Sequence, residues 1–200
     1  MAKWLVTLIA LLLIVTPVAA QDEWVTVYAE SGLYSIDLPA DWYVTHAENE
    51  VFLGDSIFAA ESEAVYAAYL RGEIIGDVLT MQPSVLATYY LFREPLDEMT
   101  DEEKVMLPFT STIAGGSGAE GVVLGEIDGY LSASSQILSL EVDSDIQEQQ
   151  TTHVLADGIL YSIRVHSIMD VEPLAAIAET LDIYPEDAPA ERDPLVIDNG

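Results

Sequence analysis

The 200-residue chain contains no cysteine. That excludes disulfides, which an exported protein would be free to form, and it excludes a lipid anchor attached through an N-terminal cysteine. Basic residues are nearly as scarce: six Lys and Arg stand against 35 Asp and Glu, a formal net charge of −29. Binding to phosphate needs clustered Lys and Arg, so neither nucleic acid nor an anionic membrane surface is expected as a partner. Beyond residue 20 there is no apolar run long enough to span a bilayer. The acids are spread along the chain, not gathered in blocks. They read as a solvated shell that keeps the protein soluble and leaves a cation or a basic protein as the permitted partner.

What is present begins with a leader. Residues 1–20, MAKWLVTLIALLLIVTPVAA, have the order of a secretory signal: Lys3 at the positive end, Leu5 to Val15 as the apolar region, and Val18-Ala19-Ala20 as a small-residue cleavage site. Cleavage before Gln21 is expected in preference to retention as a membrane anchor, and with it a secreted or extracytoplasmic location. Residues 21–185 are the usual size for one domain with one core. Residues 186–200 (EDAPAERDPLVIDNG) are polar and interrupted by proline, and disorder is expected there.

The stretch from Thr151 to Pro185 organises the domain. Asp157-Gly158 suits a two-residue hairpin loop, because both central residues must accept positive φ. Such a loop sets Ala156 opposite Ile159, Val154 opposite Tyr161 and Thr152 opposite Ile163. Ile159, Tyr161, Ile163 and Val165 then share a buried face, and Ser162, Arg164 and His166 a wetter one. Asp170 is positioned to cap a helix with Pro173 in its first turn. Val171, Leu174, Ile177, Ala178 and Leu181 form its apolar stripe. Leu181 to Tyr184 is expected to return as a short strand.

Upstream, the pattern predicts strands at Trp24–Tyr28, Leu33–Leu38, Tyr43–Thr45, Ile57–Ala60 and Asp77–Met81. A helix over Glu63–Arg71 is capped by Ser62 and closed by Gly72. Pro83 predicts the start of a second helix running to about Leu91. Thr100 and Glu103 have the spacing of a capping box, and Pro108 is expected to keep that helix short. Gly121–Ile127 and Tyr130–Val142 pair around Asp128-Gly129. Within them Leu131 and Ala133 fall on odd positions, but Leu138, Leu140 and Val142 fall on even ones, so a bulge near Ile137 is required. With Asp143-Ser144-Asp145 as the connecting turn, the C-terminal half becomes a four-strand meander. The class is α+β, an antiparallel sheet meander sandwiched by helices.

One segment carries a resemblance. Tyr34-Ser35-Ile36-Asp37-Leu38-Pro39-Ala40-Asp41-Trp42 is similar to the opening of PsbP-like domains: an apolar strand, a proline, then a tryptophan shortly after. That family includes an extrinsic protein of the photosystem II oxygen-evolving complex, and its fold resembles that of a Ran-binding nuclear import factor. The resemblance implies an antiparallel sheet between helices, closing with strands, a helix and a final short strand. It also implies a non-catalytic accessory role. No functional residue carries over.

The chemistry itself is thin. Gly115-Gly116-Ser117-Gly118-Ala119 approaches a nucleophile elbow but ends in Ala119, and a strand follows where the elbow needs a helix. A serine hydrolase using Ser117 with His153 or His166 is the enzymatic alternative to a binding role. His153 and His166 fall on one sheet face, where two imidazoles and a carboxylate could hold a transition metal. Asp143-Ser144-Asp145, and Asp97-Glu98 with Asp101 to Glu103, offer oxygens for calcium, but Glu148 stands where a calcium loop needs glycine. Tyr66, Tyr69, Tyr89, Tyr90 and Phe92 suit core packing better than a ligand groove. No catalytic, cofactor-binding or metal-binding residue is assigned, and no cofactor is expected. The expected role is an exported non-catalytic binding or accessory domain for an unknown protein or a cation.

Overall fold

The computed structural model describes residues 23–49, 54–72, 83–91, 98–110, 121–135, 138–142, 145–167 and 171–188. Eleven strands and three helices run through these segments: β1 (Trp24–Tyr28), β2 (Tyr34–Pro39), β3 (Tyr43–Asn49), β4 (Gly54–Ala60), α1 (Glu63–Leu70), β5 (Ser84–Leu91), α2 (Asp101–Thr110), β6 (Val122–Ile127), β7 (Tyr130–Ser135), β8 (Leu138–Val142), β9 (Asp145–Ala156), β10 (Ile159–Ser167), α3 (Glu172–Glu179) and β11 (Asp182–Ile183). The large antiparallel sheet has the order β3-β4-β5-β10-β9-β7-β6, with β8 paired to β9. A small sheet, β1-β2-β11, lies apart from it.

The two tight hairpins form as expected. Asp157 and Gly158 have φ of 49° and 82°, and Asp128 and Gly129 have 51° and 78°. The first loop pairs Ala156 with Ile159, Val154 with Tyr161 and Thr152 with Ile163. The register on either side of residues 136–137 slips as expected. Ser134 faces Thr152, but Leu138 faces Gln149, so four steps on one strand match three on the other. That one-residue slip sets odd positions of β7 and even positions of β8 opposite the same odd-numbered set of β9.

Several elements depart from the pattern-based reading. Ser84–Leu91 is a central strand, not a helix. Its Val85, Ala87 and Tyr89 alternate into the core, so a period of two outweighs the preceding Pro83. Helix α2 continues through Pro108 to Thr110: the proline gives up only its own bond to the preceding turn, and Val105 and Phe109 hold the helix on the sheet. Helix α3 has Val171, not Asp170, at its N-cap, without a side-chain cap. The Val171 N–H instead donates to Glu148 Oε2 at 3.0 Å, which ties the start of α3 to β9. The second face of β10 is buried, not wet: Ser162 and His166 are only 2% and 5% exposed. The expected strand at Asp77–Met81, the 115–119 loop, the Asp143-Ser144 turn, Asp170, the leader and most of the tail lie outside the described residues.

Both faces of the large sheet are covered. On one, Ile57, Ala87, Tyr161, Ile163 and Val165 pack against Ile36 and Leu38 of β2 and Val171, Ile177 and Leu181 of α3. Each of the Ile, Leu and Val side chains among them, fully buried, contributes about 1.5–3 kcal/mol. Tyr34 crosses between the sheets and donates its hydroxyl to the Ala87 carbonyl at 3.0 Å. On the other face α1 sets Val65 and Ala68 over Phe58, with Tyr69 stacked on the Phe58 ring at 3.8 Å. Helix α2 sets Val105 over Ala133, Leu155 and Leu160. Its capping box is complete: Glu103 Oε2 accepts from the Thr100 N–H at 2.7 Å, and the Glu103 N–H donates to Thr100 Oγ1 at 3.2 Å. The final strand β11 returns to β2, not to the large sheet. This connection closes the small sheet and carries the chain end past the β6–β7 hairpin.

Candidate functional site

The histidines were the first candidates for chemistry. His153 and His166 do share a face of the large sheet, His153 opposite Ser162 and His166 opposite Gln149. They lie in a buried polar band between the α1 and α2 clusters, with Thr88, Thr151 and Ser162. His153 packs edge-on against Phe109 at 4.7 Å. Burial, with the nearby Arg164 charge second, lowers His153 to a pKa of about 3. The same two causes lower His166 to about 4. Both rings are therefore neutral at physiological pH. His153 Nδ1 and His166 Nε2 have no hydrogen-bond partner among the described residues. Among the described residues neither is oriented by a carboxylate as a general base is. A guanidinium beside both also opposes a bound metal cation. Ser117 lies outside the described residues, so its relation to these rings is not drawn.

Among the described residues Tyr66, Tyr69 and Tyr89 divide between layers and line no common groove. Tyr66 and Tyr69 lie on α1, against Tyr43 and Phe58 respectively. Tyr89 joins Tyr34 and Tyr161 in the core at centroid distances of 6.5 and 6.3 Å. Burial pushes the Tyr89 hydroxyl up to about 12, with the Asp55 charge adding to it. The acids around α2 cap and pair locally, Lys104 meeting Asp101 at 3.1 Å. Among the described residues no three His, Asp or Glu side chains converge to hold a metal ion.

A different place gathers exposed chemistry. Where the β6–β7 loop meets β11 and the residues after it, a groove of about 780 Å³ opens, within the range of ligand sites. Tyr28, Tyr130 and Tyr184 supply its aromatic surface; Asp128, Asp182, Glu186 and Asp187 supply its charge, and among the described residues no Lys or Arg lines it. Two hydrogen bonds build it. Asp128 Oδ2 accepts from the Ile183 N–H at 3.0 Å, holding the hairpin loop against β11. The Tyr184 N–H donates to the Leu33 carbonyl at 3.0 Å. Tyr184 has φ of 58°, a left-handed conformation costly for a tyrosine, and the residue is 41% exposed. Partial burial raises the Asp182 carboxyl, and the Asp128, Asp37 and Glu186 charges add to it. Tyr130 is raised by desolvation first and then by Asp157 and Asp128.

Like charges held close in this way favour an incoming cation. A calcium ion needs six to eight converging oxygens, which this groove does not present. Aromatic faces next to carboxylates suit an organic cation instead, the ammonium or guanidinium of a basic chain. Pattern reading passed over every one of these residues. Asp-x-Tyr occurs there twice, as Asp128-Gly129-Tyr130 and Asp182-Ile183-Tyr184, but also at Asp41-Trp42-Tyr43 outside the groove, so it does not single the site out.

No family sequence model matches the chain, and no curated protein matches it at a significant level. Solved structures do resemble it. The solution structure of cyanobacterial PsbP (CyanoP) from Synechocystis sp. PCC 6803 aligns over 83% of this chain and 95% of its own, at 10% identity and a TM-score of 0.52. A crystal structure from Bacteroides thetaiotaomicron aligns over 80% of this chain at 9% identity and a TM-score of 0.50. The match takes in 48% of that Bacteroides chain, about half its length. The fold is PsbP-like, as the Tyr34–Trp42 segment implied.

Proposed function

We propose that this PsbP-like domain is a non-catalytic binding module that works outside the cytoplasm and takes a basic protein segment as its partner. The carrying observation is the groove at Asp128, Asp182 and Tyr184: three tyrosines and four carboxylates around one opening, with no cation among its lining residues. The leader-like residues 1–20 support export, and the shortage of basic residues supports a cationic partner. A fold shared with an extrinsic photosynthetic protein is compatible with an accessory role but does not identify a partner.

Calorimetric titration tests the reading. A lysine- and arginine-rich peptide binds the chain, an acidic peptide of equal length does not, and rising salt weakens the complex. Asp182→Asn with Glu186→Gln lowers the affinity at least tenfold. Glu61→Gln with Glu63→Gln removes the same charge from an exposed surface around α1 and changes it less than twofold. Equal losses from both pairs would reduce the attraction to the general charge of the molecule and overturn the reading.

A further inference from the structure

We infer that the basic segment binds as an added strand on the outer edge of β6, an inference that rests on the binding reading above. Strand β6 ends the large sheet and pairs only with β7 among the described residues. Ile127 and Tyr130 flank a two-residue loop, so they form a hydrogen-bonded pair. Alternation then leaves the N–H and C=O groups of Val122, Leu124 and Glu126 pointing away from β7. Exposed edges are normally guarded by Lys, Pro or a bulge. The sequence Val-Val-Leu-Gly-Glu-Ile carries no Lys or Pro, its one charge is Glu126, which a basic segment would meet, and Val123 and Leu124 are 57% and 46% exposed.

The surface beside this edge is shaped for side chains. A trough of about 400 Å³ runs between β6–β7 and α3, floored by Ser134 and Thr152. Gly125 leaves it open: a Cβ there would lie 3.3 Å from Ser132 Oγ. Glu126, Asp128 and Glu179 line the trough, and Asp128 also lines the tyrosine groove, so the two surfaces are continuous. An added strand sends alternate side chains to opposite faces. The matching segment therefore carries Lys or Arg at every second position, towards Glu179 and Asp128, with apolar residues between them beside Leu124. Main-chain hydrogen bonds supply affinity and the alternate contacts supply specificity. A second copy of this chain is a poorer occupant, because it would bring Glu126 and Asp128 against acids of a molecule with the same net charge of −29.

The test adds a ten-residue Lys–Val alternating peptide to the full chain and follows amide hydrogen exchange. The Val122, Leu124 and Glu126 amides slow at least tenfold. The same peptide N-methylated at alternate residues, which blocks one edge, binds at least tenfold more weakly. Leu124→Pro weakens binding comparably; the methylated peptide gives the same information should that variant misfold. If the peptide binds in a way that Asp182→Asn with Glu186→Gln abolishes, but β6 exchange and the methylated peptide are unaffected, strand addition is overturned and the groove reading stands. If no peptide binds, both fall. If β6 amides are already protected in the free protein, with or without dimers in sedimentation, a second copy or the chain itself fills the edge and the inference is overturned.

Discussion

Three tyrosines meet where the two sheets face one another. Tyr34 has a partner for its hydroxyl; among the described residues the buried Tyr89 hydroxyl meets none, and the Tyr161 hydroxyl has only the Tyr184 side chain beside it, outside hydrogen-bond geometry. An unmade buried hydrogen bond costs more than a made one contributes. Tyr34→Phe is therefore expected to lose about 1 kcal/mol in denaturant unfolding. Tyr161→Phe is expected to be neutral or stabilising. A loss from Tyr161→Phe as large as that from Tyr34→Phe would show that its hydroxyl is bonded after all. The histidines make a second contrast. Each is held neutral well below 6.5, so as pH falls past about 6.5 the unfolded chain takes up protons before the folded one. Stability is unaffected by these rings above that pH and declines from there toward pH 3–4, by up to about 1.4 kcal/mol per pH unit for each ring. His153→Gln should flatten the slope between pH 6.5 and 5, a window above the titration of most carboxylates. An unchanged slope would place His153 in water. Alternation in the sequence put both rings on one face, but it could not foresee burial of that face, because α1 and α2 close over it from elsewhere in the chain.

Local signals at element ends were the most readable. The Thr100–Glu103 capping box, the Ser62 cap and both Asp-Gly loops follow from chemistry within four residues. Thr100→Ala is expected to cost about 1 kcal/mol of stability and to fray α2 first, measurable as faster amide exchange at its N-terminus. Exchange that rises equally along the whole helix would assign the loss to core packing instead. Helix α3 buries Ile177 completely between β2 and β10, so Ile177→Ala should cost about 2–5 kcal/mol, read by thermal or denaturant unfolding. The errors came where two local rules competed. Pro83 signals a helix start, yet Val85, Ala87 and Tyr89 alternate, and the neighbouring β4 and β10 decide in favour of the strand. Pro108 signals a stop, yet α2 is held by Val105 and Phe109 packing on the sheet, and it runs two residues further.

At the scale of the molecule, the sequence showed the excess of acid but not where it matters. Asp128 and Ile183 are 55 residues apart in the chain and meet only because β11 returns to β2 beside the β6–β7 loop. No periodicity within either segment encodes that meeting. The groove so formed holds carboxylates that repel one another, which predicts opposed effects at one residue. Asp182→Asn should raise the melting temperature at low salt, an advantage that fades at high salt, while weakening capture of a basic peptide. A variant that lost both stability and binding would make Asp182 a structural residue. The most direct measurement is a two-dimensional NMR titration of the isotope-labelled protein with a lysine- and arginine-rich peptide. Shifts should concentrate at Tyr28, Asp128, Tyr130 and residues 182–187, extend along the outer edge of β6 at Val122, Leu124 and Glu126, and follow a single saturable curve. Small shifts spread evenly over the acidic surface, or a cluster of shifts around α1, would contradict the account.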